Sequence, residues 1–164
     1  MKLAITGTPG TGKTTAAQLL EPDVVHLNEV IRERGLYTET DDTRDSRVVD
    51  FDQTEAWLAE REPTIVESHL AHHFEAERVV VLRCHPEKLR RRLRERGESE
   101  ASAEENAEAE ALDVILVEAL DRHADVYEID TTDQDPSAVA TEINRVLADE
   151  RKPSAGNVDF TDYL

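Results

Sequence analysis

Short apolar runs rich in β-branched residues recur along the chain at residues 2–6, 24–27, 64–66, 78–82 and 126–129. The longer segments between them have helical character. Helices are expected at 13–20, at 52–60 (which carries Trp57 and Leu58), at 86–96 with Pro86 in the permissive first turn, at 103–123, and at 136–150 with Asp135 as its cap. Strand alternating with helix in this rhythm predicts an α/β fold, a five-stranded parallel sheet with helices on both faces. Residues 98–110 are rich in Glu, Ala and Ser with almost nothing to bury, so that stretch is expected to be exposed and either mobile or weakly helical. Residues 152–157 read as a linker and 158–164 as a short tail, whose Phe160, Tyr163 and Leu164 are apolar enough to dock on the body or on a partner.

Directly after the first apolar run comes Gly7-Thr8-Pro9-Gly10-Thr11-Gly12-Lys13-Thr14, the phosphate-cradling loop pattern with every required position filled. Glycines let the backbone curl so that successive N–H groups point inward, and the following helix turns its positive end toward the same cavity. Lys13 adds a mobile cation, and Thr14 a hydroxyl suited to magnesium. A chance glycine-rich turn would not also have a strand before it and Ala16-Ala17-Gln18-Leu19-Leu20 in helical register after it. The loop predicts that the protein holds a nucleotide polyphosphate.

The chain has 164 residues, room for one domain and no second catalytic one. Its net charge is −18, from 37 acidic against 19 basic residues. Such a balance disfavours broad attraction to nucleic acid or to an anionic membrane, and with few lysines it reads as a solubilising coat of the halophilic kind. Folding and activity are therefore expected to need high salt. Cys84 is the sole cysteine, which excludes an internal disulfide and suits a reducing cytoplasm. A secretory leader and a bilayer-spanning apolar run are both lacking from the pattern.

A phosphate loop does not name a reaction. The third run ends Ile65-Val66-Glu67-Ser68-His69, placing an acid and a histidine at the carboxyl end of a buried strand, where ligands of open α/β sheets collect. Glu67 there suits a magnesium-bound water, and His69 a water or a phosphate; the alternative is a structural pair bonded to nearby backbone. His69-x-x-His72, with His73 adjacent but no cysteine partner, gives little support for zinc. The polar stretch 28–50 carries Arg32, Arg34, Arg44 and Arg47, able to fork onto an acceptor phosphate or simply to pair with local carboxylates. In the basic segment 88–97, Leu89 and Leu93 face the core while Arg92 and Arg96 share another face. Arginines on a flap over phosphates suit phosphoryl transfer; a nucleic-acid contact is the competing reading.

The loop followed by Thr15, then Leu36-Tyr37, Arg47-Val48-Val49-Asp50, Ile65-Val66-Glu67-Ser68-His69, Val80-Val81-Leu82-Arg83 and Arg92-Leu93-Arg94-Glu95-Arg96-Gly97, in that order, resembles the adenylate kinase isoenzyme 6 family. The resemblance runs over nearly the whole chain. It implies a P-loop three-layer fold with a monophosphate-binding region at about 26–49 and a short lid at about 95–106. Carried over by position, Gly10, Gly12, Lys13, Thr14 and Thr15 would hold the ATP phosphates, Arg92 and Arg96 would contact ATP from the lid, and Arg32 would bind the acceptor phosphate. Lys13, Glu67 and His69 would be the catalytic groups, with Thr14 and Glu67 holding Mg2+. The family motif Asp-x-His reads Glu67-Ser68-His69 here. The implied activity is phosphoryl transfer from Mg-ATP to a nucleoside monophosphate, AMP first, with ATPase activity. A role in small ribosomal subunit maturation, with a ribosomal protein and ribosomal RNA as partners, is implied as well. A kinase of another small metabolite, such as shikimate or gluconate, shares the fold but fits residues 36–50 less well. A hexameric ATPase would need a second helical domain for which there is no room.

Overall fold

The computed structural model describes residues 1–41 and 46–164. The expectations for Arg44 and for the Arg47 side chain lie outside the described residues.

The sheet has five parallel strands: β1 (Leu3–Thr6), β2 (Val24–His26), β5 (Ile65–Glu67), β6 (Arg78–Arg83) and β7 (Val126–Asp130), in the spatial order β2-β5-β1-β6-β7. Alternation along each strand divides the core between two faces. Leu3, Ile5, Val80, Leu82 and Ile129 point to one side, against α1 (Lys13–Ala17) and α7 (Pro136–Leu147). Ala4, Val66, Val79, Val81 and Val126 point to the other, against α2 (Leu27–Arg34), α3 (Phe51–Arg61) and α6 (Val114–Arg122). The chain leaves β1 toward β2, then returns through β5 and crosses to β6 on the other side of β1. The strand ends therefore part around β1 and open a crevice beside Thr6 and Glu67.

All five expected strands are present, and the boundaries of the helices at 52–60, 86–96 and 136–150 move by a few residues to α3, α4 (Pro86–Glu95) and α7. The expected caps form: Asp50 and Asp135 accept from Gln53 N and Ala138 N. The sequence reading missed α2 and the antiparallel hairpin of β3 (Tyr37–Asp41) with β4 (Ser46–Val49), both inside the polar stretch, where neither period stands out.

Two expectations need correction. Against the expectation of an exposed, mobile or weakly helical stretch at residues 98–110, α5 (Glu100–Ala111) is a complete helix capped by Ser99, and Ala103, Ala107 and Ala111 are buried at four-residue spacing. Small side chains let it approach α4 closely, Ala103 joining Cys84, Leu89 and Leu93 in one cluster. The expected single helix over 103–123 is two. It breaks at Asp113, whose backbone is left-handed (φ 57°) and whose carboxylate accepts a hydrogen bond from Arg83 Nη2. Arg83, 1% exposed, also donates to Glu110 Oε1 and Glu128 Oε2, each at 2.7 Å.

The C-terminal segment docks on the body. Ser154 bridges the outer edge of β7, Phe160 is buried, and Tyr163 donates to Glu104 Oε1 at 2.8 Å. Glu128 Oε1 accepts the amides of Asn157 and Val158, so the same carboxylate serves Arg83 and the tail. Among the described residues no helix is long and apolar enough to cross a membrane.

Candidate nucleotide site

At the end of β1 the chain must turn within van der Waals contact of β6, and Gly7 has φ 147°; a Cβ there would stand 2.6 Å from Leu82 O. Gly10, at φ 94°, lies against Leu89 and Leu93 of α4, where a Cβ would meet Leu93 at 3.2 Å. The loop is thus wedged between sheet and α4, by a backbone approach at Gly7 that leaves no room for a Cβ and by tight side-chain packing at Gly10. Thr131 Oγ1, beyond β7, sits 3.0 Å from Thr11 O and 2.8 Å from Arg83 O, pinning the loop from the far side.

Lys13 is 7% exposed and its Nζ donates to Gly7 O at 2.8 Å and Thr8 O at 3.1 Å. Burial pulls the ammonium down to about 8, against the opposing attraction of Glu67 and Glu110. Phosphate oxygens beside it would favour the charged form and raise this value again. Helix α1 is shorter than expected, closing as tighter turns at Leu19 and Leu20, so the amides of the loop and Lys13 carry more of the anion site than an extended helix would imply.

Glu67 ends β5 and is 4% exposed. Its Oε1 accepts from Thr14 Oγ1 at 2.9 Å and from His26 Nδ1 at 2.7 Å. Parallel pairing of β2 with β5 sets His26 opposite Glu67 in register, so the neighbouring strand fixes the carboxylate. His69 lies two residues on, with Asn28 Nδ2 3.3 Å from its Nδ1; Ser68 Oγ donates to Asn28 Oδ1 at 2.6 Å. Burial and then the nearby Lys13 charge pull the His69 imidazole down to about 4, which makes it neutral at physiological pH. Arg92, half-buried, donates to Gly10 O at 3.1 Å.

These groups share one cavity of about 840 Å3, lined by the loop from Gly10 to Thr15, by Glu67 and His69, and by Arg92 with Arg96. Every sequence-predicted ATP and metal residue is brought to it. Arg32 is not: it is exposed on α2, away from the lining. His26 and Asn28 fall within the stretch expected to bind the monophosphate, but their bonds to Glu67 and to Ser68 are unforeseen, as are Gln134, Pro136 and Val139 around the start of α7. The pairing of β2 with β5 was not readable from either strand alone, and it is the signal that would have located His26.

The donor set also fits magnesium. A hydroxyl and a carboxylate, hard oxygen ligands, already meet at 2.9 Å beside the phosphate loop.

Residues 3–113 match a protein family described as an AAA domain. Over its full length the chain is 58% identical to a protein of Natronomonas pharaonis named "Putative adenylate kinase", and 54% identical to one of the same name in Halobacterium salinarum; both relatives are covered completely. A Methanocaldococcus jannaschii protein of that name is 39% identical over all of this chain and 97% of its own. Among solved structures, shikimate kinase from Bacteroides thetaiotaomicron superposes with a TM-score of 0.60, covering 91% of this chain and 98% of that one at 20% identity, a likeness of fold. A glycine-wedged phosphate loop on a five-stranded parallel sheet, with full-length identity to proteins that share one name, leads to one conclusion: the chain belongs to the archaeal family carrying that adenylate kinase name, built on a P-loop frame.

Proposed function

We propose that the protein transfers the terminal phosphoryl group of ATP to a nucleoside monophosphate, AMP first, with slow hydrolysis of ATP when no acceptor is bound. The observation that supports this most is the convergence of Lys13, Thr14, Glu67, His69 and Arg92 on one cavity large enough for a nucleotide. Phosphoryl transfer needs positioning and charge neutralisation more than covalent chemistry by the protein, and this is a site of positioned charges with no activated nucleophile.

In this reading the loop amides cradle the β- and γ-phosphates, and Lys13 leaves its carbonyl partners to bridge them. Arg92 and Arg96 reach in from α4 to neutralise charge on the transferred group. Thr14 and Glu67 would hold Mg2+, which when bound neutralises phosphate charge as a Lewis acid. His26, bonded to Oε1, keeps the Glu67 carboxylate aimed. His69, neutral, positions the attacking oxygen by hydrogen bonding and does not add a cation. Pro136 and Val139 offer an apolar wall to the ATP base, and Gln134 an amide. The acceptor enters between α2 and the loop, past Asn28, with Arg32 recruited only if α2 closes. The lid corresponds to the α4–α5 corner.

A coupled assay for ADP tests the proposal: rate should rise many-fold when AMP is added to Mg-ATP. A rate no greater with AMP than without it removes the kinase reading. A second role, binding a basic small-subunit ribosomal protein in an ATP-dependent way, is favoured by the net charge of −18. Pull-down of small-subunit proteins with and without ATP tests that role, and a partner indifferent to nucleotide counts against it.

A further inference from the structure

On the side of the sheet away from α1, the connection from β5 to β6 makes a 3-10 turn, Ala71–His73, that brings two adjacent histidines against Glu118 of α6. His72 Nε2 is 2.8 Å and His73 Nε2 is 3.7 Å from Glu118 Oε2, and one ligand atom from each of the three residues lies within 4.8 Å of the other two. Tetrahedral zinc with ligand bonds of about 2.0–2.1 Å sets neighbouring ligand atoms about 3.3–3.4 Å apart, so these separations bracket what one cation requires. From these distances we propose that His72, His73 and Glu118 form a binding site for a divalent transition-metal cation of the zinc type, separate from the nucleotide cavity.

The surroundings are built as a ligand shell is built. His72 is fully buried, its Nδ1 2.7 Å from Thr6 Oγ1, so its second nitrogen has the kind of partner that orients a ligating imidazole. Its own carbonyl accepts from His123 Nε2 at 2.8 Å, which fixes the backbone of the turn. The His73 ring lies 4.3 Å from that of His72 and meets the edge of Phe51 at 5.1 Å. With no cation, the 2.8 Å contact between His72 Nε2 and Glu118 needs the imidazole proton on Nε2, and Thr6 donates to Nδ1. Ligation at Nε2 moves that proton to Nδ1, where Thr6 Oγ1 accepts it, with no net release. His72 and His73 also line a groove of about 440 Å3 together with Arg122, which gives room beside them for a water or small anion as a further ligand. Thr6 directly precedes Gly7, whose carbonyl holds Lys13 Nζ. Occupancy would therefore stiffen the root of the phosphate loop while touching no nucleotide ligand.

The test uses the full-length protein, stripped with chelator and kept in excess magnesium so that the acidic surface and the oxygen-donor nucleotide site are saturated. Co2+ titration should give one equivalent with the intense visible bands of a four-coordinate ion, displaced by Zn2+, and Zn2+ should raise the melting temperature. His73→Ala and Glu118→Gln, substitutions outside the core, should each weaken binding by more than about tenfold and abolish the Zn2+-dependent rise in melting temperature. Six-coordinate Co2+ bands alone, or equal binding by wild type and both variants, would overturn the proposal.

Discussion

At the scale of single residues, two ionisable groups in the cavity have been moved by burial, and each makes a measurable prediction. Lys13 titrates near 8 in the nucleotide-free protein, whereas bound phosphate favours its charged form. Binding of ATP should therefore take up a proton above pH 8, and affinity, unaffected by this group well below that value, should fall as pH rises through it. Calorimetry in two buffers of different ionisation enthalpy reads the proton uptake, and Lys13→Ala should remove it while lowering turnover about a hundredfold or more. His69 is depressed to about 4 from its ordinary 6.5. The unfolded chain then binds the proton first, so stability should drop as pH falls from about 6.5 to about 4, a slope that His69→Gln should flatten in melting curves. The same variant should reduce turnover and leave ATP affinity largely intact.

At the scale of elements, the site depends on how α4 meets the loop. Leu93 is fully buried, belongs to the small cluster with Cys84, Leu89 and Ala103, and limits the space at Gly10. Leu93→Ala should cost about 2–5 kcal/mol by the cavity it leaves, because the α5 residue in that cluster is Ala103, too small to refill it. Hydrogen exchange should then quicken in α4 and α5 before it does in β1 or β6. Helix α5 also shows why composition misled: Glu, Ala and Ser looked unable to bury anything, yet a row of alanines at four-residue spacing is a packing surface when the opposing helix supplies the leucines. The break after α5 was hidden for a related reason. Asp113 has helical neighbours on both sides, and only the distant Arg83 guanidinium makes a left-handed turn there worth its strain.

At the scale of the molecule, Arg83 is a joint. It stands on β6 and bonds α5 through Glu110, the α5–α6 turn through Asp113, and β7 through Glu128, which in turn caps the tail. Arg83→Leu would leave Glu110 and Glu128 buried without a counter-charge, and should cost about 3–5 kcal/mol with release of the C-terminal segment to protease. The remaining acids make the opposite demand. With net charge −18, self-repulsion weakens the compact state, and raising KCl from about 0.1 M to about 1 M shortens the screening length from about 10 Å to about 3 Å. The melting temperature should rise over that range; a fall would contradict the salt-adapted reading of the surface.

The chain's own pattern determined the alternation of strand and helix, the five core strands, the phosphate loop and the acid and histidine at the end of β5, because each is a local signal of period, turn chemistry or spacing. Tertiary structure alone decided that β2 lies beside β5 and so places His26 on Glu67, that α5 packs through its alanines and is bonded to Arg83, and that Glu118 meets His72 and His73. Those facts join residues 41, 27 and 46 positions apart through side-chain contacts, between His26 and Glu67, Arg83 and Glu110, and His72 and Glu118. No local period records such a contact: it exists only once the crossovers have brought separate elements onto a common sheet.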